Sequence, residues 1–386
     1  STYLTRYNLR ANVDLDVTKT TLLRFNVGGY LENLHKSKAP TNQVFRKAWQ
    51  TPPFVHPIRY SDGTIPARDT QAENPWAFAT QKGYGRYVKS KIESLFAIEQ
   101  NLKMITPGLK AKLTFSFDSY SRNYVERTRE PDIYNVATKR DDEGNLVHDI
   151  ISYGQEFLDH NSGGNYGNNS VYLETSLTYN RTFAEKHAVN GLFLYNQRSY
   201  DNGDIQPYRN QGIAGRASYT FDRRYVGEFN FGYNGSENFD KGKRFGFFPS
   251  FALGWITSEE SFWEPLKSSV DKLKFRGSIG LVGNDKINGR RFAYITTTDQ
   301  KAPGYGWGNN GEYRYNDGIR EGEYGVPNLT WEKVLKSNIG FELGLFNCFE
   351  IQLDLFKEKR SDIFIKRKIF TTPIGFVNAP WANYGK

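Results

Sequence analysis

Residues 338–355 read NIGFELGLFNCFEIQLDL, in which apolar residues alternate with polar or small ones on both sides of a short break. From Ile339 to Leu345 every odd position is apolar, and the same alternation resumes from Phe349 to Leu355. A period of two is typical of a β-strand with one apolar and one polar face. The stretch therefore predicts two long strands joined by a tight turn around Asn347 and Cys348.

Such a hairpin fits two environments. In a soluble sandwich its apolar face packs against a second sheet, whereas in a membrane barrel that face contacts lipid and the polar face lines a wet lumen. The hairpin alone does not distinguish them, so the whole chain has to decide.

Composition favours an all-β chain. The 386 residues include 28 Phe, 25 Tyr and 36 Gly; Phe, Tyr and Thr favour strands, and Gly favours turns. No stretch approaches eighteen apolar residues, which excludes a spanning helix but not barrel strands. The net charge of +9 is spread among many acidic residues without a Lys/Arg block, which argues against a nucleic-acid partner.

The alternation recurs in about twelve segments, of which Tyr7–Leu15 is the first. Many of them reach the roughly 9–11 residues that cross a bilayer at the usual tilt. Long connections are expected at residues 35–83, 125–169 and 283–326, all on the same side, and brief turns on the other side. This layout is typical of an outer-membrane barrel, whereas a sandwich has loops at both ends. The predicted fold is thus an all-β transmembrane antiparallel barrel.

Aromatic residues near strand ends fit the girdle of such a barrel. The candidates for the girdle are Tyr179, Tyr219, Tyr225, Tyr233, Trp255 and Trp331.

No motif in the sequence indicates catalysis. The five histidines lie apart without metal-ligand spacing, and residues 141–145 lack the spaced acidic ligands of a calcium loop. Cys348 is the only cysteine, so no internal disulfide can form. We therefore expect no enzyme activity, no metal and no cofactor.

Two sets of residues are candidates for function. Polar side chains opposite the apolar stripe are expected to face the lumen and to pair with one another: Arg6, Arg10, Arg24, Lys110, Glu228, Asn230, Arg276 and Glu342. Loop aromatics are candidates for ligand binding: Trp49, Trp76, Tyr305, Trp307 and Trp381. Aromatic faces stack on sugar rings and on peptide side chains alike, although packing against neighbouring loops is an equally open interpretation.

Four ordered motifs in the second half of the chain resemble the barrel strands of SusC-like (SusC/RagA) TonB-dependent transporters. They are GRASYTFD at 215–222, GFFPS at 246–250 with SEESFW at 258–263, LKFRGS at 273–278, and PNLTWE at 327–332. Weaker matches are the pair at 74–75 and the turn at 107–109.

The resemblance implies part of a barrel of about twenty-two strands, located in the cell outer membrane. Residues 1–386 are then expected to be barrel alone, without the plug, the N-terminal extension or the final strands of the family. The implied function is TonB-dependent import of a nutrient oligomer, an oligosaccharide or a peptide. The implied partners are a SusD-like surface lipoprotein, the TonB complex acting through the plug, and outer-membrane lipid.

Two other classes stay open from the sequence. A passive outer-membrane porin shares the strands and the girdle. A soluble glycan-binding β protein shares the aromatic residues and the turns.

Overall fold

The computed structural model describes residues 2–68, 74–287, 289–308, 314–367 and 378–386. The strands in chain order are β1 (Tyr3–Thr18), β2 (Thr21–Ser37), β3 (Gly83–Asn101), β4 (Leu109–Thr128), β5 (Ile133–Tyr134), β6 (Lys139–Arg140), β7 (Leu146–Val147), β8 (Ile150–Ser152), β9 (Asp159–Phe183), β10 (His187–Asp201), β11 (Tyr208–Phe221), β12 (Tyr225–Ser236), β13 (Phe245–Ile256), β14 (Lys272–Asn284), β15 (Thr298–Trp307), β16 (Arg314–Glu321), β17 (Glu332–Leu345), β18 (Phe349–Ser361), β19 (Ile363–Lys366) and β20 (Trp381–Gly385). The helices are α1 (Thr41–Gln50) and α2 (Pro75–Thr80), and two 3₁₀ turns lie at Thr257–Glu259 and Ser261–Leu266.

Twelve of these strands form one antiparallel sheet. Its order is β1-β2-β3-β4-β9-β10-β11-β12-β13-β14-β17-β18, so each strand pairs with the next long strand in the chain. The other strands form four small hairpins or pairs within the long connections. The prediction of about twelve long antiparallel strands is confirmed.

The strand register places the apolar positions in continuous rows across the sheet. Phe25 lies opposite Phe96, which lies opposite Phe115 on the next strand. Toward the other edge of the sheet, Ile279 is 48% exposed and Leu353 is 49% exposed. No second layer of described residues covers them, so this face is the outer, lipid-facing side of the sheet.

Aromatic side chains border this outer face at two levels, one near the turns and one eight residues farther along the strands. Tyr225 lies opposite Trp255, and both are exposed, as is Tyr219. Tyr233 is eight residues farther along the same strand, about 26 Å at the usual rise per residue, and lies opposite the exposed Phe247. At the usual strand tilt this is about 20 Å along the membrane normal, so the two aromatic levels lie near the borders of the apolar band of about 25 Å in outer-membrane barrels.

The turns at one rim of the sheet, called here the short-turn rim, are tight. Three of its hairpins turn through two consecutive residues with positive φ: Ala184 and Glu185, Asp222 and Arg223, and Phe346 and Asn347. In each hairpin the residue after this pair donates its backbone N–H to the carbonyl of the residue before it. Positive φ at both central positions matches the right-handed twist of paired strands, which keeps these connections short.

Glu260 ties the short-turn rim together. It lies between the two 3₁₀ turns, is buried, and accepts hydrogen bonds from the Trp255 indole at 3.1 Å and the Arg224 guanidinium at 2.8 Å. Hydrogen bonds from Tyr225 and Arg224 lower the pKa of the Glu260 carboxyl. The SEESFW motif therefore supplies an anion that joins the ends of β12 and β13.

The opposite rim, called here the long-loop rim, carries the long connections and the helices. The predicted connection at 125–169 is too long, because β4 continues to Thr128 and β9 starts at Asp159. The glycines that suggested a loop lie inside β9, next to an irregularity in its pairing with β4. A Cβ on Gly164 would lie 2.3 Å from the Tyr124 ring, so glycine there makes room for that side chain.

An apolar cluster packs the loops onto the inner face of the sheet at the long-loop rim. It contains Phe239, Phe248, Ile287, Ala293, Val326, Leu329, Trp331 and Phe364. The girdle prediction for Trp331 is wrong, because this side chain is 6% exposed and packs against Phe239 and Phe248 with ring centroids 5.1 and 5.2 Å away. Its indole N–H also donates to the carbonyl of Arg244.

Within the described part of the chain, no helix is both long and apolar enough to cross a membrane.

The facing of the sheet predicts opposite outcomes for two neighbouring residues. Gly277 lies opposite Leu253 and Ile339 on the outer face, whereas Ser278 lies opposite Ala252 and points to the other side. We expect Gly277→Asp to impair barrel assembly, because it moves a carboxylate into hydrocarbon at a cost of up to about 2 kcal/mol. A Cβ at Gly277 would approach no atom closer than 3.9 Å, so crowding is not the cause.

The control is Ser278→Asp, which should assemble like the unchanged protein. Folded barrel in outer-membrane fractions, measured by heat-modifiable electrophoretic mobility, tests both variants. Equal assembly of the two Asp variants would contradict the assigned facing.

Candidate functional site

The inner face of the sheet is polar, and many of its charges form ion pairs. All eight residues predicted to face the lumen lie on strands of the large sheet, at positions that alternate with the outward apolar residues. A charged surface of this kind favours a water-filled interior over a packed protein core.

The densest ion cluster lies where β14, β17 and β18 meet. Glu342 lies 2.9 Å from the ammonium of Lys272, 3.2 Å from that of Lys274 and 3.5 Å from Nε of Arg276. Arg276 also pairs with Asp354 at 2.7 Å. The Glu342 side chain is only 13% exposed, so three cations compensate one nearly buried carboxylate.

A second ion network crosses β1 to β4. Arg24 lies 3.5 Å from Asp14 and 3.7 Å from Glu99, and Lys110 reaches the same Glu99 at 3.1 Å. These bonds join four strands through side chains on one face, which is the mutual pairing that the alternation predicts.

Three of the remaining predicted lumen residues, Arg6, Glu228 and Asn230, also have polar partners, whereas Arg10 has no carboxylate partner among the described residues. Arg6 pairs with Glu32 at 3.5 Å. On β11 and β12, Glu228 accepts two hydrogen bonds from Arg216, at 2.5 and 3.0 Å, and one from the amide of Asn230 at 2.8 Å. Arg10 lies beside Gly28, where its Nε would be 4.0 Å from an added Cβ.

The five candidate aromatic residues divide into exposed and packed ones. Trp49 on α1 is 91% exposed, and Tyr305 and Trp307 on β15 are 74% and 49% exposed. The Tyr305 and Trp307 rings stack on each other with centroids 6.3 Å apart and planes 24° from parallel. Together they form an aromatic platform on the β15–β16 hairpin, which we call the loop platform.

The other two aromatics have structural contacts. Trp381 stacks on Phe364 with centroids 5.1 Å apart and packs against the apolar cluster, with the Arg290 guanidinium over its ring. Trp76 is half-buried on α2, and the Arg59 guanidinium lies over its ring at 5.8 Å. For these two residues the structure favours the packing interpretation that the sequence left open.

Helix α2 is fixed by its cap. The Asn74 side chain accepts hydrogen bonds from the backbone N–H groups of Trp76 and Ala77, and its amide donates to the carbonyls of Ile58 and Pro66. Asn74 is 1% exposed, so the Asn-Pro pair noted in the sequence is a buried helix start that anchors the loop.

Two of the long loops are stapled to each other. His148 of the second loop contacts the Thr64 hydroxyl at 2.6 Å and Asp62 at 3.1 Å, and its ring packs between Tyr60 and Tyr134. Hydrogen bonds from the backbone N–H and the hydroxyl of Thr64 lower the pKa of Asp62. The staple holds the loops above β2 and β4 in a fixed relation.

A second staple lies above β10 and β11. The Arg291 guanidinium bonds Asp204 at 3.0 Å and the carbonyl oxygens of Gln206 and Pro207, and it covers the Tyr208 ring at 3.8 Å. Sequence reasoning missed both staples, because their partners are more than eighty residues apart.

No group of three or more His, Cys, Asp or Glu side chains among the described residues is arranged to hold a metal ion. Many charged groups of the inner face are held in ion pairs, such as Glu342 with Lys272 and Arg24 with Asp14, and the chemistry they offer is solvation and charge.

Comparison with curated proteins identifies receptors of one class. No family model matches the chain. TonB-dependent receptor P3 of Formosa agariphila is 25% identical over 400 residues, which cover 95% of this chain and 37% of that receptor. TonB-dependent receptor SusC of Bacteroides thetaiotaomicron is 34% identical over 135 residues, which cover 34% of this chain and 13% of SusC. The chain therefore spans little more than a third of the first relative.

Comparison with solved structures gives the same fold. A structure of the RagAB peptide importer in its closed-closed state matches 99% of this chain and 43% of its own chain, with a TM-score of 0.67 and 15% identity. The open-open state of the same importer matches with a TM-score of 0.66.

The sheet, its outward apolar face and these matches make the chain similar to the barrel strands of TonB-dependent receptors of the outer membrane. Within that class its sequence is also similar to SusC, over the 135 matched residues. The related proteins are receptors and transporters and not enzymes, in agreement with the expectation from the sequence. The long-loop rim is accordingly extracellular, and the short-turn rim is periplasmic.

The ion cluster around Glu342 predicts unequal effects of two Glu→Gln changes. Glu342→Gln leaves three cations facing each other, and we expect it to lower the free energy of unfolding by about 1.5–3 kcal/mol. Glu350 also pairs with Lys272, at 2.6 Å, but its side chain is 66% exposed. Glu350→Gln should therefore cost at most about 1 kcal/mol.

Denaturant unfolding of the full-length barrel in lipid measures both variants. A Glu350 variant as unstable as the Glu342 variant would contradict the ranking by burial.

Proposed function

We propose that this chain forms the barrel of a transporter that actively imports a nutrient oligomer, an oligosaccharide or a peptide, across the outer membrane. The observation that carries the proposal is the two-sided sheet, with lipid-facing apolar rows on one side and a charged, paired inner face on the other. In a barrel of about twenty-two strands, which the resemblance implies, such a wall would surround a hydrated conduit wide enough to need a plug. The names of the related proteins, which are TonB-dependent receptors and a peptide importer, support import over passive diffusion.

The loop platform is the proposed first contact for the ligand. Tyr305 and Trp307 present two stacked, exposed rings on a hairpin of the long-loop rim. Such rings bind the apolar faces of sugars and the side chains of peptides without requiring a charge. Trp49, exposed on α1, is a second proposed contact, whereas the packed Trp76 and Trp381 support the loops that carry them.

A SusD-like surface lipoprotein is the proposed partner at the long-loop rim. Helix α1 has no buried residue, and Phe45 and Trp49, one turn apart, are 71% and 91% exposed. Phe54, just after the helix, is 89% exposed. Exposed aromatics of this size support a protein contact, since interfaces are enriched in them.

The energy for import is proposed to come from the TonB complex acting on a plug domain. In this proposal residues 1–386 contribute barrel strands only. The plug, the N-terminal extension and further strands belong to other parts of the protein. A porin is the weaker alternative, because the curated relatives are receptors.

The test of active import compares cells that carry the full-length gene with cells in which it is deleted. Labelled oligosaccharide and peptide mixtures are supplied, and the oligomers that accumulate are identified by mass spectrometry. We expect uptake of one oligomer class that requires the gene and stops when a protonophore removes the proton-motive force. Uptake that persists after the protonophore would show a porin and overturn the proposal.

Substitution of the loop platform separates ligand capture from folding. Tyr305→Ala with Trp307→Ala should weaken binding of the imported oligomer about tenfold, because each stacked ring contributes about 0.5–1.5 kcal/mol. Ile319→Ala is the matched control, since Ile319 lies on the same hairpin and is 79% exposed but is not aromatic. Binding by the purified full-length protein, measured by calorimetry, should be unchanged in the control. Equal binding by both variants would exclude the platform as a contact.

A further inference from the structure

A basic and aromatic patch lies on the outward face of the sheet, below the extracellular loops. We call it the rim patch; its members are Tyr3, His35, Tyr84, Arg86, Arg127 and His160. The His35 ring stacks on Tyr3 at 5.1 Å and on Tyr84 at 4.9 Å, so three strands are joined by one column of rings.

The strand register brings the basic residues of the patch together. Arg86 lies opposite His35, and Arg127 lies between Tyr84 and His160. Arg86 and Arg127 are thus on adjacent strands, one pair apart, a diagonal separation of about 7–8 Å that long side chains can bridge. Arg86 points outward, because Tyr84, Arg86 and the exposed Ile92 are separated by even numbers of residues on β3. Arg127 lies on the same face, because it is opposite Tyr84.

The two arginines of the rim patch are not neutralised by any carboxylate in the described part of the chain. The inward arginines Arg6, Arg24 and Arg276 all pair with carboxylates. Arg86 and Arg127, in contrast, have no acidic partner among the described residues, and the two rows that hold them contain no Asp or Glu. Arg209, also on the outward face near this rim, does have one, Glu237 at 3.8 Å.

The patch lies at the level of lipid headgroups. The highest outward aliphatic side chain on β4 is Val125, which is 38% exposed and lies opposite Arg86. Arg127 is two residues above Val125, about 7 Å along the strand and about 5 Å along the membrane normal at the usual tilt. The headgroup layer extends roughly 5–8 Å beyond the hydrocarbon. The patch is therefore continuous with the lipid-facing band and ends where lipid phosphates are found.

We propose that the rim patch binds the phosphate group of an anionic glycolipid in the outer leaflet. Arginine guanidinium groups bind phosphate through two parallel N–H donors, and two unpaired arginines side by side can hold one phosphate between them. The aromatic column of Tyr3, His35 and Tyr84 lies beside them and provides a flat surface for the sugar or the upper acyl chains. This contact is separate from the import path, because it is on the opposite face of the sheet.

The test uses the full-length protein purified in detergent and titrated with lipid A that carries both phosphates, with bound lipid counted by native mass spectrometry. We expect the unchanged protein to retain the lipid, and Arg86→Gln with Arg127→Gln to retain it at least about tenfold more weakly, since two charge-assisted contacts are lost. Arg209→Gln, at a paired outward arginine, should bind as the unchanged protein does. Heat-modifiable mobility confirms that each variant is folded.

Dephosphorylated lipid A provides the second comparison. It should bind the unchanged protein as weakly as phosphorylated lipid A binds the double variant. Equal retention by the double variant and the unchanged protein, or equal binding of the dephosphorylated lipid, would overturn the proposal. Because neither measurement involves uptake, the result does not depend on whether the transporter function is correct.

Discussion

Hydrocarbon offers no hydrogen-bond partner to a peptide group, and this constraint determines the architecture. Strands inside a bilayer must satisfy their backbone N–H and C=O groups through one another, which requires long, unbroken ladders between neighbours. The twelve paired strands meet this requirement across the sheet, and their alternating side chains then sort themselves by face. At the depth of the hydrocarbon, charged residues are then favoured only on the opposite face, so the lumen chemistry follows from the same ladder.

Much of the fold could be predicted from the sequence, because a strand with one apolar and one polar face has apolar and polar residues in alternation. The hairpin at 338–355 and the ten other strands of the sheet show this directly, and the tight turn next to Cys348 is where the pattern predicts it. The limits of β4 and β9 could not be predicted, because the glycines Gly163 and Gly164 suggested a loop. In the structure they lie in β9, where a Cβ would clash with the Tyr124 side chain. Local composition gives no sign of that distant side chain.

The candidate site was predictable as a class of positions but not as contacts. Their alternation with apolar residues predicted that side chains such as Arg24 and Glu342 face inward. Which cation meets which carboxylate depends on strand register, which joins Lys272 to Glu342 across seventy residues of sequence. The loops were harder still. The sequence suggested a girdle role for Trp331 and a ligand contact for Trp381, yet both pack in a cluster assembled from separate connections.

That cluster has a mechanical consequence. The loops above β13 to β18 are held together by the packed rings and aliphatic side chains of the cluster. Helix α1, in the loop after β2, has no buried residue. The local stability of the loops therefore differs along the long-loop rim. Segments with few buried apolar contacts unfold locally at a lower free energy than packed ones, so the loop that carries α1 is expected to open before the loops held by the cluster.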